Sequence, residues 1–236
     1  MKRTIFYISI LVSTLFAACN NSNKSNDNIK LDYTKMGNSI VKKTFDTLRN
    51  SLQTTISQSG FEGAVPYCQT AAYSLTNIYA SNSVTIRRTT LKYRNPANKP
   101  DTSEERILKI FASLKEQGII NDSIKPITEE SKNGQIHFYK PIMLQQICAS
   151  CHGSKSIDIQ PPVWKAINTL YPLDRAYDFK TGDLRGMWHI TFKGKKNNKL
   201  KSDDEQVPKQ WTQALVVRQE SLRVEITQKK QDQTRG

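Results

Sequence analysis

Cysteine and histidine are scarce in this chain, four and three among 236 residues. So few cysteines exclude a disulfide-stapled scaffold, and a chain of this length can bury a full core without one. No second Cys/His pair at short spacing exists, so a four-ligand structural zinc site would have to be improvised. No apolar stretch approaches the ~20 residues of a spanning helix; the longest, Ile5 to Phe16, is too short. There is no internal repeat and no nucleic-acid motif. Lys and Arg outnumber Asp and Glu 35 to 21, a formal charge of +14, but the basic residues are scattered. The excess therefore speaks against nucleic acid and fits an anionic membrane surface or an acidic redox partner.

What is present is one dense motif, Ile147-Cys148-Ala149-Ser150-Cys151-His152-Gly153. Two thiols three positions apart, followed at once by an imidazole, are what covalent attachment of haem c requires. Cys148 and Cys151 would add to the two vinyl groups of the porphyrin, and His152 would become the proximal iron ligand. A redox disulfide or an improvised zinc site competes with this reading, but the disulfide gives no reason for a His directly after the second Cys.

The first 18 residues read as a signal peptide of lipoprotein type: Lys2 and Arg3, the apolar run, then Ala17 and Ala18 before Cys19. Phe16-Ala17-Ala18-Cys19 resembles a bacterial lipobox, which implies cleavage before Cys19 and lipidation of its thiol. The alternative is an ordinary cleaved signal with Cys19 incidental. The resemblance places the protein on the periplasmic side of a bacterial membrane, the outer membrane before the inner. Residues 19–31, rich in Asn, Ser and Lys, read as a flexible tether.

Met36, Ile40, Val41, Phe45, Leu48, Leu52 and Ile56 follow steps of three and four, one stripe of a long helix that Gly60 should end. A second helix is expected from about Phe61 to Ala80, with Ala64, Val65, Cys68, Ala71, Ala72, Leu75 and Ile78 inward. Cys68 is either a small core residue or a ligand to the sixth position of the iron, with His137, His189, Met143 and Met187 as the other candidates. Arg94 to Asp101 has the composition of a loop. Asp101 or Thr102, with Glu104 or Glu105, should cap a third helix carrying Ile107, Leu108, Phe111 and Leu114. Ile124 to Thr128 and Gln135 to Ile142 read as strands around Asn133-Gly134, and alternation puts His137 on the face away from Ile136 and Phe138. Pro161-Pro162 open another helix that Pro172 stops. Met187 to Lys193 reads as a strand with Trp188, Ile190 and Phe192 on one face. Residues 194–236 form a polar tail without a chemical reading.

Arg87-Arg88-Thr89-Thr90-Leu91-Lys92-Tyr93-Arg94-Asn95-Pro96-Ala97-Asn98-Lys99-Pro100-Asp101 resembles the signature of a bacterial family of c-type haem domains with a PAS-like fold. The likeness extends over roughly residues 33–193 and includes the helix with its Cys, the Cys-x-x-Cys-His-Gly motif, Tyr171-Pro172 and Gly182-Asp183-Leu184-Arg185-Gly186. It implies an α+β domain over residues 32–193, with a PAS-like antiparallel sheet, long N-terminal helices and one covalent haem c. By motif it implies iron held by His152 on one side and by Cys68 on the other. Arg87, Arg88 and Arg94 are then candidates for contacts with the haem propionates, since a guanidinium fork suits a carboxylate.

Filled axial positions disfavour catalysis at the metal, so electron transfer or redox and gas sensing is expected. A thiolate favours ferric iron and a low potential. Release of Cys68 on reduction would open a site for a diatomic gas, and sensing would require a separate partner protein. A homodimer is compatible with these features. The competing enzyme reading is a peroxidase with an open distal face, which hydrogen-peroxide turnover would reveal.

Overall fold

The computed structural model describes residues 20–119 and 125–193. Cys19, the signal segment and the tail 194–236 lie outside the described residues, whereas the rest of the tether lies within them. A helix, α1 (Asn20–Thr76), opens the structure. It begins inside the segment expected to be a tether. Once a helix is nucleated each added residue gains a hydrogen bond, so a helix packed further along can extend into polar sequence. Gly60, at φ 65° and ψ −178°, interrupts the helical backbone where the sequence pattern places its end. Positive φ is readily adopted only without a Cβ, and the interruption gives the two halves of α1 separate tasks.

Four strands follow, with a helix between the first and second: β1 (Val84–Thr89), α2 (Thr102–Glu116), β2 (Ile127–Glu130), β3 (Ile136–Met143) and, later, β4 (Leu184–Phe192). They form one antiparallel sheet in the order β1-β4-β3-β2. The fold is α+β, as the sequence implied. β1 was not foreseen: no element was expected between the end of the second helix near Ala80 and the loop from Arg94. β2 starts at Ile127, while Ile124, the expected start, lies outside the described residues, and β4 starts at Leu184 rather than Met187.

Alternation along the strands gives the sheet two apolar faces. Ile86, Ile136, Phe138, Trp188, Ile190 and Phe192 pack against Val41 and its stripe on the first half of α1. Tyr139 and Met187 pack on the other side against Ile107, Leu108 and Phe111 of α2. α2 starts with a capping box: the Asp101 carboxylate accepts from the Glu104 amide, and the Glu104 carboxylate accepts from the Asp101 amide.

The second half of α1 leaves the sheet and packs on α4 (Pro161–Leu170). Val65 and Phe61 meet Ile159, Val163 and Ile167 there, and Cys151 lies at the edge of the cluster. The one-turn helix α3 (Ala149–His152) carries the cysteine motif between this cluster and a fourth one of Leu144, Ala149, Ala176 and Phe179, which Cys148 joins. Among the described residues, no helix is long and apolar enough to cross a membrane.

Candidate functional site

α3 is too short to hold itself in place, and its surroundings do so. The Gly153 amide donates to the Ala149 carbonyl at 2.8 Å, the Phe179 amide donates to the His152 carbonyl at 3.0 Å, and the Asp178 amide donates to the Gly153 carbonyl at 2.8 Å. Residues 174–179 therefore run alongside the motif and lock its backbone. They also orient its imidazole: His152 Nδ1–H donates to the Ala176 carbonyl at 2.7 Å. A carbonyl can only accept, so the neutral ring carries its proton on Nδ1 and keeps a lone pair on Nε2. Burial, followed by the fields of Arg185 and Arg94, holds the His152 pKa well below its ordinary value. A neutral imidazole fixed through Nδ1 is the form in which histidine binds a metal through Nε2.

The three described cysteines are free thiols, so Cys148 and Cys151 do not form the competing disulfide. Burial pushes the Cys151 thiol up to about 11, opposed by Arg94, with Cys68 and Cys148 close enough to add to the rise. Cys68 is likewise raised by burial and opposed by Arg88 and Arg94. The second half of α1 thus brings Cys68 from a distant part of the chain into the field of the motif. No group of three or more His, Cys, Asp or Glu is placed to hold a metal ion among the described residues.

Arg88 and Arg94 both enter this region. Arg88 Nη2 donates to the Ala72 carbonyl at 3.3 Å, one turn beyond Cys68, and its guanidinium lies 5.8 Å from the Trp188 ring centroid. Arg94 Nη2 donates to the Cys151 carbonyl at 2.6 Å and pairs with Asp174 at 3.1 Å. Arg185, quoted in the sequence signature but given no role there, joins them. Burial, then Arg94 and Arg88, lowers its pKa to about 10.

Arg87 is a correction. Successive strand residues face opposite ways, so Arg87 lies on the α2 side of the sheet, where its Nε pairs with Glu104 at 3.2 Å. The histidine alternatives for the sixth ligand go the same way. His189 Nδ1–H donates to Glu104 at 2.7 Å, and His189 Nε2 lies 2.9 Å from His137 Nδ1, again on the α2 side. Met187 is buried in the α2 cluster. Met143 ends β3 beyond a bulge and is half-buried.

No curated protein matches this chain. Among solved structures, the cyanobacterial heme-protein Tll0287 is similar, at 31% identity and a TM-score of 0.43, over 56% of this chain and 74% of that one. Residues 26–192, most of the chain and the whole of the region just described, match the Tll0287-like family, and the chain belongs to that family.

Proposed function

We propose that this is an exported, lipid-anchored haem c protein that carries electrons at low potential or senses redox state or a gas. The observation that carries the reading is the pairing of two free thiols with a neutral His152, its Nδ1 tied to Ala176 and its Nε2 left for a metal. Membership of a family named after a cyanobacterial heme-protein supports it.

The residues present fit the group. Cys148 and Cys151 belong to two different apolar clusters, so an apolar macrocycle attached to them would meet apolar walls. Half-buried Arg88 and Arg94 each have a buried Nε without a hydrogen-bond partner, which an anionic ligand would satisfy. Cys148 and Cys151 would form the thioethers, His152 would be the proximal ligand and Cys68 the distal one. The bound haem would supply one-electron chemistry between ferric and ferrous iron. Arg88 and Arg94 favour a thiolate at Cys68 against the burial that opposes it. The Ala176 carbonyl keeps the Nδ1 proton on His152 and so fixes the ring in the ligating tautomer. Cys19 would hold the acyl chains, and a partner protein would exchange electrons or receive the signal.

The test is an absorption spectrum and a pyridine haemochrome of the full chain matured by the haem c machinery, both repeated on Cys68→Ser. A haem c haemochrome in both proteins, and an absorption spectrum with thiolate character that Cys68→Ser abolishes, are expected. Colourless protein, or pigment extracted by acidified organic solvent, would overturn covalent attachment; an unchanged absorption spectrum in Cys68→Ser would overturn the distal ligand. Metabolic fatty-acid labelling that survives Cys19→Ala would refute the anchor.

A further inference from the structure

Charge in the interior of the site does not balance. Arg88 and Arg94 lie close enough to Arg185 for their charges to lower its proton affinity. Asp174 pairs with Arg94, the two side chains being 3% and 12% exposed. Arg185 finds neutral acceptors instead: its Nη1 donates to Thr90 Oγ1 and to the Lys92 carbonyl, both at 3.2 Å, and its guanidinium lies 5.2 Å from the Phe179 ring centroid. Arg88 rests on the Ala72 carbonyl and the Trp188 ring. Lys92 adds a fourth cation nearby, spent on the Tyr177 carbonyl at 2.5 Å and on the Phe179 ring.

Three guanidiniums against one carboxylate repel one another in a low-dielectric setting, and burial of a cation without a counter-charge is costly. The buried Nε atoms of Arg88 and Arg94 are donors left over after those contacts. Such groups in a native protein call for a partner. Two negative charges on planar, two-oxygen acceptors would take up most of that excess, and the guanidinium fork suits that geometry.

We infer that Arg88, Arg94 and Arg185 form a cradle for a pair of carboxylates, and, resting on the haem reading above, that these are the two porphyrin propionates. Arg185 is the member whose role the sequence left unassigned, and it replaces Arg87. Its backbone position follows from the fold: β4 begins at Leu184, so Arg185 stands at the start of the strand, where the Thr90 hydroxyl also donates to its carbonyl at 2.7 Å. Sequence signature and charge balance thus meet in one residue. Arg94 ties the cradle to the motif through the Cys151 carbonyl, so an anion held there would be coupled to the backbone carrying the thioethers.

The experiment uses the matured full chain and compares wild type with Arg185→Gln, Arg185→Lys and Arg87→Gln. The readouts are the haemochrome spectrum, the infrared carboxyl bands of haem labelled with 13C in its propionates, and the one-electron midpoint potential. Arg185→Gln should leave the haemochrome intact, shift the labelled bands and make the reduction equilibrium about tenfold less favourable, about 59 mV for one electron. Arg185→Lys should recover most of the potential because it restores the charge, and Arg87→Gln should change neither readout. Labelled bands and potential unmoved by Arg185→Gln, with haemochrome intact, would overturn the cradle alone. Added inorganic phosphate whose own infrared bands respond to Arg185→Gln while the propionate bands do not would overturn the propionate assignment. Absence of haemochrome in wild type would overturn the haem reading together with the propionate cradle.

Discussion

A methyl group added at Gly153 would lie 2.5 Å from the Asp158 carboxylate and 2.7 Å from the Ala149 carbonyl. Neither neighbour moves cheaply: the Asp158 Oδ2 accepts from the Ser154 amide at 2.8 Å, and Ala149 is part of α3. Gly153→Ala should therefore cost about 1–3 kcal/mol, the range for overpacking a tight site. A urea midpoint unchanged from wild type would show that the loop yields. The glycine was legible as part of a motif, whereas its reason, the approach of Asp158, was not. The same holds for the arginines. Arg87 and Arg88 are adjacent and equivalent as letters, and only their membership of a strand sends one to Glu104 and the other to Ala72.

At the scale of elements, α2 shows how far local chemistry reaches. Two caps and two glutamates were open in the sequence, and the structure selects Asp101 with Glu104. Asp101→Ala should lower stability by about 1 kcal/mol, the usual worth of an N-cap. Thr102→Ala, one position inside the helix, serves as the control. Equal thermal midpoints for the two variants would refute this assignment. Glu104 also binds side chains beyond its own helix, accepting from His189 and pairing with Arg87, so the cap joins α2 to β4 and β1. Those long-range partners had no local signal. β1 was missed for the same kind of reason: its six residues acquire their role by pairing with β4, from Val84 opposite Phe192 to Thr89 opposite Met187.

The molecule as a whole should lose stability in acid in two steps. Burial first, then His189, holds His137 below its ordinary 6.5. The unfolded chain then binds more protons, so stability present above about pH 6.5 is lost as pH falls. Burial raises Asp101, but hydrogen bonds from the Glu104 amide and from Ser103 outweigh it. Burial likewise raises Asp183, and Lys115 with the Lys180 amide outweighs it. Both carboxyls end below 3.8, so their contribution is present above that pH and lost below it. Urea midpoints from pH 8 to 3 should decline first below about 6.5 and again below about 3.8. His137→Gln should shallow the first decline and spare the second; identical profiles would exclude His137 as a source of the first.

Helix stripes, the break at Gly60 and the cysteine motif were determined by the sequence itself, because periodicity, positive φ and motif spacing are properties of neighbouring residues, and the α+β class was implied by the family resemblance. Tertiary structure alone decided which side of the sheet each arginine and histidine occupies, that Cys68 shares a field with Cys151, and that Arg185 completes a cationic cradle. Those are facts of long-range pairing and of fields summed through a buried interior, and they exist only once strand register and helix packing have brought distant residues together.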